Sequence, residues 1–311
     1  VTIIDDESPS DTTVPLITPS TTTNSANTNP INLINLNDFY ADSRFANIKG
    51  QGYSTVIIDT GIDLNHPLFG ADNNQDGIAD RIKYQYDFAD NDNNASDKNN
   101  HGSHVASIAA SIAPGSGIIA LKVFSDNGAG SFANLEKALQ WVTENANTYN
   151  VASVNLSLGD GQNWRTEAGR YGIGDELATL ASQNIIVAAA AGNSFYQFGS
   201  AQGAAYPASD GNTVGVGAVW ANNFGDNKAF SGGATDYTTA SDRLASFSQR
   251  HASLVDVFAP GILIEGANAT GGTVTMGGTS QAVPFISGLA VLAQQIAQEK
   301  LGRKLSLAEF D

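Results

Sequence analysis

Ser280 stands in the run Gly277-Gly278-Thr279-Ser280, where small residues let the backbone turn tightly and expose a hydroxyl at the start of a long apolar segment. A serine hydroxyl is a weak nucleophile until a neighbouring base takes its proton. The chain has four histidines to offer: His66, His101, His104 and His251. His101 is the best placed, because it precedes Gly102 at the start of a helical pattern, whereas His104 lies one turn further on and His66 precedes Pro67 in a loop. A histidine base needs an acceptor that holds its tautomer, and Asp59 ends the apolar run Ser54-Thr-Val-Ile-Ile58, where parallel sheets place functional residues. The chemistry of such a set is acyl transfer through a covalent intermediate. As an order of residue types alone it carries little, since any chain of this length contains many Asp, His and Ser triples.

These three residues must be positioned by the elements around them. From Tyr53 onward, short apolar runs alternate with amphipathic segments, the pattern of an α/β chain with a mostly parallel sheet. Strands are expected at 54–58, 118–123, 151–156, 185–191, 214–219 and 255–258, and the continuous apolar character of 185–191 suits a strand buried on both faces. Helices are expected to start near His101, to span 131–145 with Phe132, Leu135, Ala138, Leu139 and Val142 on one face, and to span 174–183. A long helix is expected over 280–298 with Pro284 in its first turn, where proline is tolerated. The pattern Ser306-Leu-Ala-Glu309 is a capping box that should open one more helix, which Asp311 cuts short.

Residues 1–30 are rich in Thr, Ser and Pro and have the composition of an extension or linker, or of a remnant pro-segment, leaving 31–311 as the catalytic domain. The chain of 311 residues carries a formal net charge of −16. An acidic surface has no means of releasing counterions from a phosphate backbone, so nucleic acid is excluded as a partner. There is no cysteine, which rules out disulfides, thiolate catalysis and cysteine zinc sites. No apolar run reaches the roughly 20 residues a membrane-spanning helix needs. A monomer acting outside the cytoplasm, or at its surface, is the expectation.

Three blocks resemble the subtilisin-like serine proteases (the subtilase family): Val56-Ile-Ile-Asp59-Thr-Gly-Ile, His101-Gly-Ser-His-Val-Ala and Gly278-Thr-Ser280-Gln-Ala-Val-Pro284. Two more, Ala189-Ala-Ala-Gly-Asn193 and Asp256-Val-Phe-Ala-Pro-Gly261, resemble the family's oxyanion strand and its segment before the serine. The resemblance covers roughly residues 50 to 300. It implies a three-layer fold with helices on both sides of the sheet, peptide-bond hydrolysis by Ser280, His101 and Asp59, and a side-chain amide of Asn193 in the oxyanion site. Two positions depart from the family pattern: Gln281 stands where a Met is usual, and Phe285 where a His is common. Gln281 is compatible with resistance to oxidation, since Met forms a polar sulfoxide and Gln does not.

The resemblance also implies that segments 124–130 and 157–159 flank the cleft and pair with an extended substrate as added strands. Gly128, Gly130, Ser157, Leu158 and Gly159 would contact the peptide, and Ser157 to Gly159 with Ala190, Ala191 and Gly192 would line the main specificity pocket. Between 72 and 97 lie seven aspartates, and Asp72-Asn-Asn-Gln-Asp76-Gly-Ile-Ala-Asp80 matches the first nine positions of an EF-hand-like loop. Asp72, Asn74, Asp76, the Ile78 carbonyl and Asp80 are the hard oxygen donors that suit Ca2+. Lys83 occupies the twelfth position in place of the bidentate Glu, so Asp87, Asp90 or Asp92 would have to close the site. The expected function is therefore a calcium-supported serine endopeptidase. A binding module on the same fold and a transpeptidase using the same acyl-enzyme are the competing readings.

Overall fold

The structure, a computed structural model, describes residues 1–5 and 30–311. Its first elements are β1 (Thr2–Asp5), α1 (Pro30–Leu33), α2 (Leu36–Ala41), β2 (Ser54–Asp59), β3 (Ile82–Asp87), α3 (His101–Ile112) and β4 (Gly117–Lys122). There follow β5 (Gly130–Ser131), α4 (Phe132–Asn145), β6 (Val151–Leu156), β7 (Leu158–Gly159), α5 (Gly174–Ser182), β8 (Ile186–Ala190) and β9 (Val214–Val219). Two short hairpin strands, β10 (Lys228–Ala229) and β11 (Thr235–Asp236), precede β12 (Val257–Pro260), the hairpin β13 (Ile264–Ala267) with β14 (Thr273–Met276), α6 (Thr279–Leu301) and α7 (Leu307–Phe310).

Seven strands form one sheet in the order β12-β9-β8-β6-β2-β4-β3, and every neighbouring pair in it is parallel. Side chains alternate between the faces of a strand, and both faces here are covered. Val56 and Ile58 of β2 join a core with Leu135 and Leu139 of α4 and Leu177 and Leu180 of α5. Ile57, between them, packs on the opposite face with Val105, Ala106 and Ala109 of α3. Further along that face, α6 lies against β6, β8 and β9 and against α3. Helices, sheet and helices make the three layers, and two-sided burial explains why the central strands read as unbroken apolar runs.

The chain starts its sheet in the middle. β2 lies between β4 and β6; β3 takes one edge and β4 fills the place between, after which β6, β8, β9 and β12 follow outward on the other side, so the carboxyl end of β2 sits at the crevice where the order reverses. In open α/β sheets that crevice is where ligands bind. Asp59 is the last residue of β2.

β3 is absent from the sequence expectation although Ile82-Lys-Tyr-Gln-Tyr-Asp87 alternates apolar and polar residues, because this edge strand lies inside the Asp-rich stretch 72–97 and its acidic surroundings read as a loop. Pro284 lies within the second turn of α6 and not in its first, because the helix begins at Thr279. Of the Thr/Ser/Pro-rich extension, residues 6–29 lie outside the described residues, and Thr2–Asp5 form β1. That strand inserts between two others, antiparallel to β5 on one side and to β7 on the other. The capping box at Ser306 is formed: its backbone N–H and hydroxyl both donate to Glu309 Oε2.

Candidate active site

Asp59 and His101 come from adjacent elements, the carboxyl end of β2 and the first residue of α3. His101 Nδ1 lies 2.7 Å from Asp59 Oδ1, which also accepts the N–H of Thr60 at 2.7 Å. An ionised carboxylate only accepts, so Nδ1 carries the proton and Nε2 is left as the basic nitrogen. The pair is buried, with Asp59 1% and His101 0% exposed, which strengthens the charge-assisted bond between them.

The start of α3 is held by Asp97. Its Oδ2 accepts the Ser103 N–H and hydroxyl, and its Oδ1 accepts the N–H groups of Asn99 and Asn100 and the Thr60 hydroxyl. Thr60 Oγ1 in turn accepts the N–H of Gly102. A buried carboxylate thus satisfies the orphan donors that open a helix and complements its dipole. Asn100, the residue before the helix, is in the left-handed region at φ 89° and makes no side-chain cap. Asp97 was hidden in the sequence among the other aspartates of 72–97; the signal that could have found it is the Asp four residues before a histidine that opens a helix. Gly102 is required by close approach: a Cβ there would stand 2.0 Å from the Gly61 carbonyl oxygen and 3.1 Å from Asp59 Oδ1.

Ser280 is the second residue of α6 and is fully buried. Its hydroxyl donates to the Ser157 carbonyl at 3.2 Å. The Ser157 hydroxyl returns a bond to the Ser280 carbonyl at 2.7 Å and accepts from Asn155 Nδ2 at 2.9 Å. Pro284 explains the first of these: without an N–H it cannot bond the carbonyl four residues earlier, which is that of Ser280. Ser157, expected as a pocket wall, thereby anchors the backbone of Ser280 as well. Catalytic hydrogen bonds in unliganded sites are often long or misdirected and tighten with substrate; here the Ser280 hydroxyl is bonded to the Ser157 carbonyl.

Asn193 follows β8 through Ala191 and Gly192. Its Oδ1 accepts the backbone N–H of Thr279 at 2.9 Å, and the Thr279 hydroxyl accepts the N–H of Gly192 at 3.1 Å. The accepting role of Oδ1 decides the amide orientation and turns Nδ2 toward Gly278, where an added Cβ would meet it at 2.9 Å. Asn193 and the N-terminal turn of α6 are therefore locked together beside Ser280.

The flanking segments carry β1. Thr2 is opposite Ser131, Ile3 opposite Gly130, Ile4 opposite Gly159 and Asp5 opposite Leu158. Ile3 is buried in the cluster that holds Phe124, Leu135 and Leu158. Gly130, Leu158 and Gly159 are thus in register with an extended chain, and Ser157 follows next toward the nucleophile. Gly128 turns the segment before β5 at φ +82°, while Ala190 and Gly192 are buried behind it at the end of β8.

The loop 72–80 folds on its own acidic groups. Asp72 Oδ1 and Asn74 Oδ1 both accept the N–H of Asp76 at 3.2 Å; Asp72 Oδ2 accepts that of Gly77, and Asp76 Oδ1 that of Ile78. Asp80 accepts from Asn73, and Lys83 Nζ donates to the Asp80 carbonyl. Asp87 and Asp92 accept N–H groups of their own turns. Among the described residues, no three His, Asp or Glu side chains gather as a metal-binding group. No helix among them is long and apolar enough to cross a membrane.

Comparison with known proteins places this arrangement in a family. The sequence model of the Subtilase family matches residues 50–306. The chain is 33% identical over 254 residues to alkaline serine exoprotease A of Vibrio alginolyticus, covering 80% of this chain and 40% of that protein. It is 32% identical over 277 residues to subtilisin-like protease 3 of Trichophyton equinum, covering 86% of this chain and 58% of the relative. The chain thus spans about half the length of the curated relatives it matches. The crystal structure of a cold-adapted subtilisin-like serine proteinase superposes with a TM-score of 0.65 at 30% identity, covering 84% of this chain and 80% of that one. With its seven parallel strands, its buried Asp59–His101 pair and a family match over most of its length, the chain belongs to the subtilases.

Proposed function

We propose that the protein is a serine endopeptidase that hydrolyses extended polypeptides through an acyl-enzyme. The reading is supported by the buried Asp59–His101 pair at 2.7 Å, by Asn193 held against the first turn of α6 that carries Ser280, and by the flanking segments pairing with an extended strand. Ser280 Oγ attacks the scissile carbonyl while His101 Nε2 takes its proton, and the oxygen becomes an oxyanion facing the Ser280 N–H and Asn193 Nδ2. His101 then gives the proton to the leaving amine. Water, deprotonated by the same imidazole, releases the acyl group and restores Ser280. Asp59 keeps Nδ1 protonated throughout and stabilises the imidazolium. Ser280→Ala should leave the melting temperature unchanged, abolish burst release from an activated ester and abolish labelling by a peptidyl phosphonate. A burst of wild-type size in that variant would end the proposal.

Calcium belongs to the same reading. Asp72, Asn74, Asp76, the Ile78 carbonyl and Asp80 would hold it, supported by two side-chain oxygens already converging on one N–H and by the sharp turn at Gly77, φ +86°. Binding to the folded form alone would stabilise the segment between Asp59 and His101. Calorimetric titration should show heat and a rise in melting temperature that Asp76→Ala removes; no heat and no rise would dismiss the site. Action outside the cytoplasm is part of the proposal, supported by the Vibrio relative being named an exoprotease.

A further inference from the structure

Gln281 follows the nucleophile, is fully buried, and has neither Oε1 nor Nε2 hydrogen-bonded. Buried polar groups are nearly always paired, because leaving one unpaired costs stability that an apolar side chain of the same length would not lose. The position therefore retains a carboxamide against the interest of packing. Its surroundings say what the group faces. A methyl built on Gly278 would stand 2.9 Å from Asn193 Nδ2 and 3.1 Å from Gln281 Oε1, so the two side-chain amides close on the same small space at the start of α6. Because both ends of the Gln281 amide are unbonded, a half-turn about its last side-chain bond exchanges Oε1 and Nε2 without breaking a hydrogen bond.

We propose that Gln281 Nε2 is a second side-chain donor to the oxyanion, acting beside Asn193 Nδ2 and the Ser280 N–H. The bond it lacks at rest forms when the carbonyl of the substrate becomes tetrahedral and its oxygen moves into the space both amides border. A donor satisfied only at that stage lowers the barrier without tightening the ground state. This inference rests on the acyl-transfer reading of Ser280.

The test compares the wild type with Gln281→Met and Gln281→Leu, which fill the space without a donor. Expected are a fall in kcat of about 10- to 100-fold with KM within about twofold, and weaker binding of a peptidyl boronate by the same factor. Affinity for a cleaved product peptide should not change. The melting temperature should hold or rise, since two orphan polar atoms are removed; a side chain kept for structure would lower it. A kcat within twofold of wild type in both variants, or a boronate loss matched by an equal product loss, overturns the proposal. An inactive wild type, or an active Ser280→Ala, would instead strike the acyl-transfer reading beneath it.

Discussion

Two histidines of α3 sit one turn apart in opposite surroundings. His101 is buried beside a carboxylate, its Nδ1 2.7 Å from Asp59 Oδ1. His104 is buried without one: its Nε2 faces the Ile264 carbonyl at 3.0 Å. Burial pushes its pKa down from 6.5 to about 4, with the Ile264 carbonyl opposing that shift in part. The folded chain thus refuses a proton that the unfolded chain accepts. The stabilisation is complete above pH 6.5 and is lost as pH falls toward 4, amounting to about 3 kcal/mol by linkage. Urea unfolding followed from pH 7 to pH 4 should show a steeper loss for the wild type than for His104→Gln, which keeps a donor for Ile264. Parallel curves would mean that His104 titrates as an exposed histidine does.

At the scale of elements, what could be read in the sequence was what local periodicity writes down. Strands β2, β4, β6, β8 and β9 and helices α3 to α6 were legible because two-sided burial makes unbroken apolar runs and one-sided burial makes a helical stripe. β3 escaped although it alternates, because the aspartates on either side of it read as loop, and β13 with β14 because each is only four residues of mixed type. The Asp59–His101 pair was legible through its glycine-containing surroundings, and Gly102 shows why those matter: α3 and the turn after β2 touch so closely that no side chain fits. The supporting contacts were not legible. Asp97, six positions before Ser103, was lost among the other aspartates of its stretch, whereas Ser157 reaches the Ser280 carbonyl across 123 positions, a partner chosen by tertiary contact that leaves no pattern along the chain. The loop of 72–80 shows the limit from the other side, since the same acidic spacing serves backbone turns as readily as a cation.

For the molecule as a whole, the chain's own first strand fills the slot between β5 and β7 in which the proposed substrate would pair. One slot between β5 and β7 accepts one strand, so a peptide must displace β1 before it can occupy the same hydrogen bonds. The anchor of β1 is Ile3, 1% exposed among Phe124, Leu135 and Leu158, while Ile4 beside it faces outward at 43%. Burial of an Ile side chain is worth about 2 to 3 kcal/mol, roughly a 30- to 150-fold bias toward the occupied slot. Ile3→Glu should remove that bias by placing a carboxylate where no partner awaits it. The expected outcome is a fall of at least about tenfold in KM for an extended octapeptide, with kcat unchanged, because Ser280, His101 and Asp59 are untouched and only the competition for the slot is relieved. Ile4→Glu, on the exposed side of the same strand, should leave KM within about twofold. Equal KM values for Ile3→Glu and the wild type would show that β1 yields to a substrate at no cost.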